Sequence, residues 1–209
     1  MVWVFGGIAA FAALAYGSAF CWRHDSALKT AVKTTSTAAL AMAAWWGGAP
    51  GLLVAALVAS AFGDFALSRP SERMFLAGMA SFALGHGAYI GLFVQTGAHP
   101  AALGTVVPAL LAAGLVGAAI VAGRRFVSGA GALAAPVAVY AGVICLMGLA
   151  ALALGSGHLL VQSAAFAFVA SDMILGEQLF GINRGRWADR LLWLLYWGAQ
   201  ALFVLAFLP

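Results

Sequence analysis

Eight runs of apolar residues, each ended by a short polar, proline or glycine break, divide the chain. They predict helices over Val2–Trp22, Lys33–Trp46, Gly51–Leu67, Phe75–Phe93, Ala101–Ala122, Leu133–Leu154, Leu159–Leu179 and Ala188–Leu208. The second run is the shortest and opens on a threonine-rich turn. Pro50, Pro70, Pro100 and Gly129 stand at breaks. Pro108 and Pro136 lie near the starts of their runs, where neighbouring helices can re-satisfy the freed backbone. A bilayer core takes about 20 apolar residues per helix. The pattern therefore predicts an all-α polytopic membrane protein, a bundle of eight transmembrane helices forming one domain over residues 1–209.

Composition agrees: 65% of residues are hydrophobic and 8% are charged, against about 25% charged in globular domains. The formal charge is +4, but the basic residues are scattered through short loops rather than gathered in a stripe, so nucleic acid is not an expected partner. Cys21 and Cys145 fall at or inside apolar runs and make neither a disulfide nor a metal pattern. No basic segment precedes the first apolar run, and Phe20 before Cys21 does not suit lipoprotein cleavage, so a removed leader is not expected.

The placement of charge sets an orientation. Arg23, Lys29 and Lys33 lie in or beside the first loop, Arg69 and Arg73 in the third, Arg124 and Arg125 in the fifth, and Arg184, Arg186 and Arg190 in the seventh. All ten basic residues fall on odd-numbered loops. The positive-inside rule makes those loops cytoplasmic and puts both termini on the other side, in a plasma or inner membrane if the source is bacterial.

Against this apolar background the ionisable groups inside the spans stand out, because such residues mark function by default. Asp64 lies in Gly63-Asp64-Phe65-Ala66-Leu67 and Asp172 in Ser171-Asp172-Met173-Ile174-Leu175. The shared small-Asp-x-x-Leu pattern, four spans apart and running in the same direction, would suit two parallel four-helix halves. At about 1.5 Å per residue from the cytoplasmic ends, Asp64 sits roughly 5–8 Å deep and Asp172 roughly 10–12 Å. Tyr140 and Tyr196 fall at roughly 10–13 Å, and His86 and Gln200 at roughly 16–20 Å. These groups can share a cavity opening to the cytoplasm, with Lys33, Arg69, Glu72, Arg73, Glu177, Asn183 and Arg184 near its rim. Structural readings stand beside this one: Asp64 as an interfacial partner of Arg69, His86 as an interhelical hydrogen bonder, and the tyrosines and Gln200 as packing residues.

Several chemistries are excluded by pattern. There is no GxSxG elbow, no HExxH and no glycine-rich phosphate loop after a strand. His86 and His158 belong to opposite ends of the membrane, so no metal site is expected. Carboxylate chemistry remains. Two acids in a low-dielectric cavity cannot both ionise cheaply, which leaves one able to act as a general acid beside an ionised partner. Asp172, the deeper, is the expected proton donor and Asp64 the ionised partner, with the reverse order open.

The chain resembles the YhhN-like lysoplasmalogenase family of integral membrane proteins. The matching residues are Gly63-Asp64-Phe65-Ala66-Leu67, the run from Phe75 through Phe82, His86 and Tyr89, then Tyr140 with Met147, Phe168-Val169-Ala170-Ser171-Asp172, and Tyr196-Trp197-Gly198-Ala199-Gln200. The family's basic-Pro element before the second span appears as Val32-Lys33-Thr34, without the proline. The resemblance implies hydrolysis of the vinyl ether bond of lysoplasmalogens to a fatty aldehyde and a glycerophospho-base, with no cofactor. Asp64 and Asp172 would be catalytic. His86, Tyr89, Tyr140, Tyr196 and Gln200 would contact the substrate, and Lys33, Arg69, Arg73 and Arg184 would serve the headgroup. The expected partners are the lyso-lipid and membrane lipids; nothing in the sequence sets an oligomeric state. A proton-coupled solute transporter and a non-catalytic lipid-binding protein are the alternatives from other classes.

Overall fold

Ser26, in extended backbone, accepts a hydrogen bond from Lys29 N and caps a helix that begins well before its apolar run. The second helix therefore covers Ala27–Trp46, and Lys33 lies well inside it rather than at its first residue. The computed structural model describes residues 1–181 and 185–209. Over these, eight α-helices follow one another: α1 Val2–Ala15, α2 Ala27–Trp46, α3 Gly51–Leu67, α4 Glu72–Thr96, α5 Val106–Gly129, α6 Ala134–Leu152, α7 Leu159–Phe180 and α8 Arg186–Phe207. A π-helical turn, Tyr16–Phe20, extends α1. Short 3-10 turns at Pro100–Gly104, Gly131–Leu133 and Ser156–His158 lead into α5, α6 and α7.

Two boundaries depart from the apolar pattern for local reasons. His99 Nδ1 accepts from Ala101 N and holds Pro100–Gly104 as a 3-10 turn, which delays α5 to Val106. At its other end α5 continues through Arg124 and Arg125 to Gly129, a solvated last turn that carries no apolar signal. Arg73, expected in a loop, stands in the first turn of α4, and Arg186 and Arg190 are the first and fifth residues of α8.

Among the described residues every regular element is helical. Six helices are long and apolar enough to cross a membrane: α1 with its π turn, α4, α5, α6, α7 and α8. α3 is apolar but only 17 residues long, about 26 Å of helix. α2 is diluted by its lysines, threonines and serine.

α1, α2, α3 and α4 pack as successive neighbours. α4 then meets α6 rather than α5; α6, α7 and α8 follow, and α8 returns to α2 and α3 and closes a ring. α5 stands outside the ring, against α6 and α7. The tightest join is α3 on α4, where small residues let backbones approach. A Cβ on Gly63 would lie 2.6 Å from the Phe82 ring and one on Gly85 3.2 Å from the Ala56 carbonyl oxygen. Ser81 Oγ donates to the Ala59 carbonyl at 2.7 Å across the same seam. Trp193 Nε1 donates to the Ala13 carbonyl at 3.0 Å and so ties α8 to α1.

Toward the C-terminal ends of α4 and α8, rings fill the interior. Tyr89 stacks on Phe203 with centroids 4.2 Å apart, and Phe93 and Phe168 pack around them. This plug closes one end of the ring and leaves polar side chains to the other.

Candidate active site

The polar side chains gather because their spacing puts them on inward faces. Lys29, Lys33 and Thr37 are i, i+4 and i+8 on α2, one stripe of a helix. Tyr196 and Gln200 are i and i+4 on α8, and Phe82, His86 and Tyr89 follow one face of α4. Two clusters result.

The first surrounds Asp64, whose side chain is fully buried. Lys33 Nζ lies 3.1 Å from Asp64 Oδ1. Thr37 Oγ1 and Tyr196 OH each donate to Asp64 Oδ2 at 2.8 Å. A cation and two hydroxyl donors thus converge on this carboxyl group from α2 and α8, the surroundings an acceptor-only carboxylate requires. Arg69, the partner its position in sequence suggests, instead lies over the Phe65 ring at 4.6 Å.

The second surrounds Asp172. His86 Nε2 is 3.1 Å from Asp172 Oδ2, and Tyr140 OH donates to the same oxygen at 3.4 Å. Tyr140 OH is also 3.4 Å from His86 Nε2, so three groups from α4, α6 and α7 form a triangle. His86 Nδ1 is buried and has no hydrogen-bond partner among the described residues. Asp172 and Tyr140 therefore decide the tautomer of the ring, and one proton can pass between Asp172 and His86 without breaking another contact.

The two acids face one polar chamber. Asp64, Asp172, Lys33, Tyr196, Ser68 and the buried Tyr16 are on its wall, with the exposed Asp25 and its neighbour Lys29 toward its mouth. Lys29 pairs with Asp25 at 3.1 Å there. Helix depth puts Asp64 nearer to water than Asp172, yet Asp64 is the more enclosed, with side-chain exposures of 0% and 8%. Lys33 and Thr37 of α2 and Tyr196 of α8 cover it, which helix depth alone does not reveal.

A second, apolar cleft lies beside the chamber, between α4, α5, α6 and α7. Leu67, Phe75, Phe82, Leu175 and Leu179 border both spaces, and so does Asp172. Tyr140 lines the apolar cleft. Asp172 is thus the acid at the boundary between a polar and an apolar compartment.

The other expected site residues take different places. Tyr89 OH donates to Gln200 Oε1 within the aromatic plug, and neither residue lines the chamber or the cleft. Arg69 and Arg73 are exposed on and beside the turn joining α3 to α4, outside both walls. Arg184 and Asn183 lie outside the described residues. Glu72 is exposed at the start of α4, and Glu177 is in an ion pair with Arg125 at 3.1 Å.

Thr37, Tyr16, Asp25 and Lys29 are site residues that the sequence reading does not name. The signal for Thr37 and Lys29 is their four-residue spacing from Lys33; Thr37 falls inside the expected helix, while Lys29 is hidden because the residues before Lys33 are read as a loop. Tyr16 and Asp25 carry no comparable signal, since the turn after α1 brings them in. No group of three or more His, Cys, Asp or Glu side chains suited to a metal occurs among the described residues.

Charged and hydroxylic donors on one acid, a histidine on the other and a boundary between polar and apolar space suit proton transfer to an amphiphile. No curated protein and no solved structure matches the chain. The order of the motifs along α2 to α8 is nonetheless that of a known group: over residues 28–207 the sequence matches the model of the YhhN family, and the chain belongs to that family.

Proposed function

We propose that the protein is a hydrolase that cleaves the vinyl ether bond of lysoplasmalogen-type lyso-lipids. The supporting observation is Asp172 on the wall common to the polar chamber and the apolar cleft. In a lyso-lipid of this class the vinyl ether joins the glycerophospho-headgroup to the alkyl tail. With the headgroup in the chamber and the tail in the cleft, that bond lies beside Asp172.

The chemistry follows from the two clusters. The Asp172–His86 pair holds a proton, and Asp172 delivers it to the β-carbon of the vinyl ether as a new C–H bond forms. The π-electrons make that bond and leave an oxocarbenium ion at the ether carbon. Asp64, presented by Lys33, Thr37 and Tyr196, supplies negative charge across the chamber and accepts a proton from the attacking water. The resulting hemiacetal collapses to a fatty aldehyde and the free glycerol hydroxyl, for a net consumption of one water. The proton returns to the Asp172–His86 pair. The chain's own side chains supply every proton transfer.

Lys29 is the cation best placed for a headgroup phosphate, because it stands on the chamber wall toward the mouth, half-buried beside Asp25. Arg69 and Arg73, exposed at the α3–α4 turn, would add longer-range attraction for an anionic headgroup. Lys29→Met is therefore expected to raise KM several-fold with kcat little changed, as loss of uniform binding requires. Arg69→Met and Arg73→Met are expected to raise it less. The opposite ranking in steady-state kinetics would move the headgroup to the turn.

The segregation of all ten basic residues at or beside the odd-numbered connections supports a chamber mouth on the cytoplasmic side with both termini opposite. A reporter fused after Pro209 should then be active only on the non-cytoplasmic face. Cytoplasmic activity would invert the site.

The test of the reaction is aldehyde release by the purified protein in lipid nanodiscs from two lyso-lipids of equal headgroup and chain length. One carries a 1-alkenyl ether and the other a 1-alkyl ether. Aldehyde from the alkenyl lipid alone is the expected result. Release from neither, with proton-driven solute uptake in proteoliposomes, would replace the hydrolase by a transporter.

A further inference from the structure

Resting on this reading, we infer that the apolar cleft is a ruler for the alkyl tail, and that Leu115 and Cys145 at its inner end set the longest chain accepted. The direction in which the tail runs can be decided from the walls. One end of the cleft is bounded by Phe126 of α5 and Phe180 of α7, whose rings stand 6.4 Å apart. That end lies beside the Arg125–Glu177 ion pair, with the Arg125 side chain 54% exposed, at the level of water. A tail turned that way would leave the apolar layer.

The other end lies farther from the ion pair. Leu115 is ten residues before Arg125 on α5, about 15 Å along the helix. Ile144 and Cys145 are four and five residues beyond Tyr140 on α6, about 6–8 Å past the Asp172 triangle. A tail entering at Asp172 therefore runs inward along Val169, Ile144 and Cys145 toward Leu115.

Leu115 is shaped as a stop. It is buried, unlike most of α5. A Cβ on Gly148 of α6 would come within 2.6 Å of its side chain, so Leu115 is seated on the α6 backbone where a glycine leaves room. Chain that reaches this point must displace it.

Lipid origin decides the form of the selectivity. A tail moving from a bilayer into an apolar cleft exchanges one apolar environment for another, so each methylene that fits gains little, unlike transfer from water. Discrimination begins when the chain overruns the stop, and overpacking a filled apolar site is costly. The expected profile is flat up to a limiting length and then falls on the order of tenfold, rather than rising steadily with length.

The experiment measures kcat/KM for 1-alkenyl lyso-lipids of one headgroup and increasing chain length. Leu115→Ala should move the break to longer chains, and Cys145→Phe should move it to shorter ones, with the rate on the shortest chain kept near that of the unmodified protein. A break that stays in place in both variants, while short chains are still cleaved, overturns the ruler and leaves the hydrolase intact.

Occupancy is read separately from chemistry. In a Cys21→Ser protein, the rate at which a membrane-permeant maleimide labels Cys145 is followed with and without saturated 1-alkyl lyso-lipids, which cannot be hydrolysed through a vinyl ether. Slower labelling with lipids whose tails reach Cys145, and not with shorter ones, supports the ruler even if no lipid is cleaved. Labelling indifferent to tail length shows that the tail lies elsewhere and overturns it.

Discussion

Asp172→Asn is expected to insert and fold normally and to lose vinyl ether cleavage by on the order of 10²–10⁴, the usual worth of general acid catalysis. Asn has the shape of Asp and can still bond His86 Nε2 and Tyr140 OH, but it carries no proton that it can give up. The side chain is only slightly exposed and Asn keeps hydrogen-bonding groups toward both partners, so little stability should be lost. His86→Gln tests the same proton from its other holder: it removes the second base of the pair while leaving an amide near Asp172 Oδ2. Its activity should also fall, by less than that of Asp172→Asn, if Asp172 is the group that touches the substrate. Equal rates of aldehyde release from the unmodified protein and the Asp172→Asn variant would mean that another group protonates the β-carbon.

The second large effect concerns Lys33 and Asp64, and here stability and activity should separate. Replacing one partner of a buried pair strands the other charge, typically at about 3–5 kcal/mol. Lys33 keeps 17% of its side chain exposed toward the chamber, which gives a stranded charge some access to water. Lys33→Met and Asp64→Asn are therefore each expected to destabilise by about 3 kcal/mol, the low end of that range. The double variant, with neither charge present, should recover most of the thermal stability in detergent and none of the activity. Full stability in both single variants would mean that the pair is not formed in the membrane. Recovery of activity in the double variant would remove Asp64 from the chemistry.

Much of the scaffold is legible from hydrophobic runs, because a bilayer demands long apolar helices and tolerates few breaks. The described helices α3, α4, α6, α7 and α8 begin and end within a few residues of those runs. α2 is harder. Its N-terminal half bears Lys29, Lys33 and four threonines, Thr30, Thr34, Thr35 and Thr37, and its first turns, before Lys33, read as loop unless the four-residue spacing is weighed against hydropathy. The Lys33–Asp64 pair is illegible for a related reason, since a lysine read as the first residue of its helix, at the cavity rim, is not given a buried partner.

Depth along the helices brings Asp172, Tyr140 and His86 to one half of the bundle but does not show which of them touch. Pairing depends on the ring order, in which α4 passes over α5 to pack on α6. That order places His86 and Tyr140 together with Asp172, and no local pattern announces it. The apolar cleft is hidden altogether. Ala118, Ala119, Ala122 and Gly123 of α5 line it, yet in sequence they do not differ from alanines and glycines that face lipid.

The central claim is that the protein protonates the β-carbon of a vinyl ether and that Asp172 supplies the proton. The most direct measurement runs the reaction in heavy water and traps the aldehyde at once as its oxime for mass spectrometry. The unmodified protein should give an aldehyde carrying one deuterium on the carbon next to the carbonyl, formed far faster than in the Asp172→Asn variant. An aldehyde formed at full rate without that deuterium, or a labelled aldehyde formed equally fast by the variant, would contradict it.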